Sequence, residues 1–61
     1  MDPDANLTEA RRVARRVLNN ESPRPEDTAR LAELFTAMDD WLTRGGALPR
    51  AWTTGLNWKK E

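Results

Sequence analysis

Between Leu31 and Leu42 the large apolar residues Leu31, Leu34, Phe35, Met38, Trp41 and Leu42 recur at intervals of three and four. That spacing gathers side chains on one side of a 3.6-residue helix. At 100° per residue they fall within an arc of roughly 120°, the width of a core-facing stripe. Glu33 and Asp40 lie nearly opposite. Gly45-Gly46 supplies residues that enter the left-handed conformation at little steric cost, so the helix is expected to stop there. Upstream, Pro25 suits a first helical turn, and Glu26 and Asp27 follow where carboxylates favour the positive end of the helix dipole. The pattern predicts a helix from about Pro25 to Arg44, roughly 30 Å long.

A second periodic segment precedes it. Leu7, Ala10, Val13, Ala14, Val17 and Leu18 form an apolar face of about 140°. Arg11, Arg12, Arg15 and Arg16 occupy the adjoining face. Asn6, with Glu9 three residues on, reads as a capping box, and Asp4 is the competing cap. These signals predict a helix over about 7–19. Pro23 and Pro25 bar helix continuation through the connection at 20–24. A link this short favours an antiparallel hairpin. Beyond Gly46, Leu48 is placed to pack back on the preceding turn, and Pro49 suits the opening of a short helical turn through Trp52. Trp52 is expected to fold over the open end of the hairpin, near Trp41 and Leu42. The hairpin and its flap take up residues 1–52; residues 53–61 lack periodicity and read as a flexible tail.

Size sharpens this picture. A chain of 61 residues makes one domain and buries only about 60% of its unfolded surface. Two helices cannot enclose each other's stripes, so one side stays wet unless something covers it. The expected architecture is all-α: an antiparallel two-helix hairpin with a Trp-bearing C-terminal flap, completing a four-helix bundle as a homodimer. A monomer capped by its own tail and a complex with a different protein are the alternatives. The interaction residues on this reading are Leu31, Leu34, Phe35, Met38, Trp41, Leu42, Leu48 and Trp52. Trp58 is the candidate outward anchor, because Asn57, Lys59 and Lys60 around it are polar and tryptophan is enriched at interfaces.

Composition removes most chemistry. There is no cysteine and no histidine. Disulfides and the usual zinc, copper and haem ligand sets are excluded, as are the thiol nucleophile and the commonest general base. No cofactor is expected. Glu26-Asp27 and Asp39-Asp40 are adjacent carboxylates that point about 100° apart on a helix, with no cleft implied. Ser22, Thr53 and Thr54 have no base beside them. No enzyme is expected. No apolar run approaches the ~20 residues of a membrane span, and Met1-Asp2-Pro3-Asp4 is acidic where a signal peptide is basic. The expected location is cytoplasmic, with no membrane partner.

The arginines carry the alternative function. Arg11 with Arg15, and Arg12 with Arg16, are i,i+4 pairs spaced to touch neighbouring phosphates, as in a small nucleic-acid-binding protein. Ten basic residues are balanced by ten acidic ones, and there is no Gly-rich phosphate loop. Glu33, Asp39 and Asp40 of a neighbouring helix could neutralise the face. A solvated or acid-paired surface is the preferred reading.

The opening Met1-Asp2-Pro3-Asp4-Ala5-Asn6-Leu7, the run Leu31-Ala32-Glu33-Leu34, and then Met38-Asp39-Asp40-Trp41-Leu42, Gly45-Gly46, Leu48-Pro49 and Trp52 carry a resemblance. Most of residues 1–52 resembles short uncharacterised proteins of actinobacteriophages and related actinobacterial genomes. The resemblance implies a bacterial cytoplasm and an accessory or host-directed phage role; it brings no activity and no site residues.

Overall fold

The computed structural model describes residues 1–20, Ser22 and 24–56, with side chains as far as Thr53. Three helices follow in order: α1 (Pro3–Asn19), α2 (Pro25–Thr43) and the short α3 (Arg50–Leu56). Helices α1 and α2 pack side by side as a hairpin, and the described residues include no strand. None of these helices is long and apolar enough to cross a membrane.

Helix α1 starts four residues before the position its capping pattern predicts. Asp2 is the N-cap: its Oδ1 accepts from the amides of Asp4 at 3.1 Å and Ala5 at 3.2 Å, and Pro3 fills the first turn. Asn6 and Glu9 are released for contacts between helices. The Asn6 side-chain amide donates to the Leu34 carbonyl at 3.2 Å. Glu9 accepts two hydrogen bonds from Arg30, each 2.8 Å. Toward the turn, Arg16 grips Asp27 through Nε and Nη2 at 3.3 and 3.1 Å. Cross-links at both ends and the middle therefore set how α1 lies along α2.

Helix α2 runs where its pattern places it. Pro25 opens it, and it ends in a Schellman turn. The Gly46 amide reaches back to the Trp41 carbonyl at 2.9 Å, and the Gly45 amide to that of Leu42 at 3.0 Å. Gly45 has a φ of 92°, which a side chain would strain. Gly46 lies against the Trp41 ring so closely that an added Cβ would overlap the indole. The ring is also anchored by its Nε1–H, which donates to the Ala47 carbonyl at 2.9 Å. Trp41 is thus half-buried beneath its own C-terminal turn.

Pro49 is fully buried and its carbonyl accepts from Trp52 and Thr53 at 3.0 and 3.2 Å, starting α3. This helix extends past the single turn predicted through Trp52, into the stretch read as a flexible tail. Its first amide, that of Arg50, donates to Asp4 Oδ1 at 2.7 Å. That bond ties the chain after the hairpin to the N-terminal turn of α1.

The molecule is elongated. Its principal extents are 43 × 25 × 15 Å. Its radius of gyration of 13.5 Å exceeds the roughly 10 Å of a compact chain this long. Two helices enclose side chains chiefly along the seam between them. The buried apolar side chains there are Val13 at 2%, Leu34 at 5% and Met38 at 6% exposure.

Candidate functional site

Two surfaces stand out. The first is the apolar face left beside the seam. Leu34 and Met38, on one side of the α2 stripe, are buried, while Leu31 and Leu42 are half-buried. Phe35 sits at the edge of the same arc. It was expected to join the core-facing stripe, but it is 70% exposed, because the neighbouring helix covers the side of the 120° face that carries Leu34 and Met38. Leu18, expected on the apolar face of the first helix, is likewise exposed, at 82%.

Trp52 lies at the end of the hairpin where the N-terminal turn of α1 meets α3. It helps line a nearly all-apolar cleft of about 100 Å³ with Leu7, Leu34, Phe35 and Met38. The Asp4–Arg50 bond brings α3 to this end of α1, whereas the Trp41 ring is occupied by Gly46 and Ala47. Trp52 and Leu48 remain 41% and 42% exposed. Trp58 lies outside the described residues.

The second surface is formed by arginines. Arg11, Arg12, Arg15 and Arg16 are all exposed on α1. Where α1 turns into α2, Arg12, Arg15, Arg16 and Arg24 line an open groove of about 500 Å³ together with Asn19 and Asn20. A second depression of about 290 Å³ continues it along α1 between Thr8, Arg11, Arg12 and Arg15. The acids expected to neutralise this face do not do so. Glu33 pairs with Arg30 and Asp40 with Arg44, each on its own helix, and Arg16 takes Asp27 instead. Among the described residues Arg11, Arg12, Arg15 and Arg24 form no ion pair. The three groove residues missed from sequence, Asn19, Asn20 and Arg24, carry no periodic signal. They flank a turn, and only chain reversal brings them beside Arg12 and Arg16.

No family model, curated protein or solved structure matches this chain.

Among the described residues, no three Asp or Glu side chains gather as a metal-ligand group. The titratable groups that shift do so at the interhelical pairs. The hydrogen bond from Arg30 holds the Glu9 carboxyl below its ordinary range, against weaker desolvation, and the charges of Arg30, Arg12 and Arg16 add to it. Arg16 does the same for Asp27, aided by the charge of Arg24. Both carboxylates therefore bind protons more weakly folded than unfolded. Their stabilising contribution is complete above the unfolded values and is lost as pH falls through the lowered folded ones. The melting temperature should hold steady near neutrality and fall below about pH 4. Removing both cationic partners, with Arg16→Gln and Arg30→Gln, should flatten that acid limb; thermal melts across the acid range check this.

Proposed function

We propose that the chain is a small non-enzymatic interaction module that self-associates through the apolar face of its hairpin. The observation that carries this reading is the pair of large apolar side chains, Phe35 at 70% and Leu18 at 82% exposure, beside a seam that buries only Val13, Leu34 and Met38 among its described apolar side chains. Domains are built from two packed layers, because an amphipathic helix must bury its stripe against another element. Here the hairpin supplies one layer. A second copy supplies the other with the same apolar face, and the product is a four-helix bundle. Trp52, as a C-terminal flap beside Phe35, adds aromatic area to the edge of that interface. The resemblance to actinobacteriophage proteins supports a bacterial cytoplasm and an accessory or host-directed role.

The test uses residues that the single chain does not bury. Phe35→Glu and Leu18→Glu each leave Val13, Leu34 and Met38 in place. Each change occurs twice in a symmetric dimer, and losing the burial of a Phe or Leu side chain removes about 2–3 kcal/mol per copy, so each should weaken self-association roughly 10³- to 10⁴-fold. Sedimentation of both variants beside the parent reads this out. Variants that sediment as the parent does would overturn the proposal.

A further inference from the structure

We infer that the arginine groove at the α1–α2 turn binds the phosphodiester backbone of nucleic acid, without reading base sequence. Formal net charge is zero over the whole chain, so nothing draws the molecule to polyanions at long range. The charges are nonetheless segregated. Arg12, Arg15, Arg16 and Arg24 converge on one groove, and Arg11 extends the line along α1. Asp27, the acid in the groove wall, is held by both Nε and Nη2 of Arg16. That grip also fixes Arg16 at the centre of the cationic surface.

Helix geometry favours this ligand. From Arg11 to Asn20 the α1 axis advances about 14 Å, with each i,i+4 arginine pair about 6 Å apart along it. Duplex DNA offers one negative charge per ~1.7 Å of its axis counting both strands, dense enough for several guanidiniums along such a line to reach phosphates. All five cations are arginine, whose planar forks match phosphate oxygens in pairs, and the amides of Asn19 and Asn20 add neutral donors. An acidic peptide would have to present carboxylates at the same repeated spacing. A bilayer surface would be gripped better by apolar side chains among the arginines, and among the described residues the groove is lined by Arg, Asn and Asp. That lining also contains no aromatic ring to stack a base, so contact stops at the backbone.

The experiment titrates the full chain into a short labelled DNA duplex by fluorescence anisotropy, with a second duplex of unrelated sequence. Polyglutamate and phosphatidylglycerol vesicles are the other polyanions. Three or four phosphate contacts predict a loss of affinity of ~40- to 150-fold between 50 and 200 mM salt, the same for both duplexes. Changing Arg12, Arg15 and Arg24 together to Gln should weaken binding at least about tenfold and lower the salt slope by roughly one per residue. Those three side chains form no ion pair among the described residues, and helicity measured by circular dichroism confirms that the variant is folded. Absence of binding at 50 mM salt, or unchanged affinity in the triple variant, would overturn the inference. So would binding to polyglutamate or the vesicles as tight as to DNA.

Discussion

Leu34→Ala should leave most of the chain unfolded at room temperature. Leu34 is one of three apolar side chains buried in the seam, at 5% exposure, and its carbonyl also receives the Asn6 amide from α1. Truncating a buried leucine costs about 2–5 kcal/mol, through lost transfer energy and the cavity left behind. A domain below 70–80 residues rarely holds more than about 3–5 kcal/mol from its core. One substitution therefore removes most of what there is. Circular dichroism should show helicity falling well below that of the parent, with the melt broadened or absent. A Leu34→Ala protein that melts as the parent does would mean that Val13 and Met38 hold the hairpin without it.

The second large effect falls at the turn after α2. Gly46 is not in the left-handed region, so alanine there incurs no φ penalty; its cost comes from the Trp41 indole, which an added Cβ would overlap. The ring cannot easily yield, because Nε1 is bonded to the Ala47 carbonyl. Forcing an extra carbon into such a contact costs typically 1–3 kcal/mol. Gly45→Ala is the informative companion. Nothing lies within 4 Å of a Cβ at Gly45, so its cost is the positive φ alone, about 1–2 kcal/mol. Chemical denaturation should rank Gly46→Ala as the more damaging of the two, with the Trp41 fluorescence environment altered. Equal or reversed costs would show that the indole is not packed on the turn.

The sequence made some of this legible and some not, for reasons that differ by residue. Helix α2 could be bounded to within a residue because three independent signals agree: the apolar period, Pro25 at the start and Gly45-Gly46 at the end. The start of α1 could not. Asp2, Asp4 and Asn6 are all competent caps, and the choice is decided by where Asn6 and Glu9 are needed on α2, which is tertiary information. Periodicity placed Phe35 and Leu34 on one stripe, yet it cannot say how much of a stripe a single partner covers. The arginines of α1 were visible as a face. Their groove was not, because Asn19, Asn20 and Arg24 join it only after the chain turns.

The claim on which the rest depends is that one copy of the hairpin is half of a structure. Sedimentation equilibrium of the unaltered chain over a wide concentration range tests it most directly. The expected mass is twice 7.0 kDa at the upper concentrations, with a melting temperature that climbs as protein is added. A cooperatively folded species of 7.0 kDa at every concentration, melting at one fixed temperature, would contradict it.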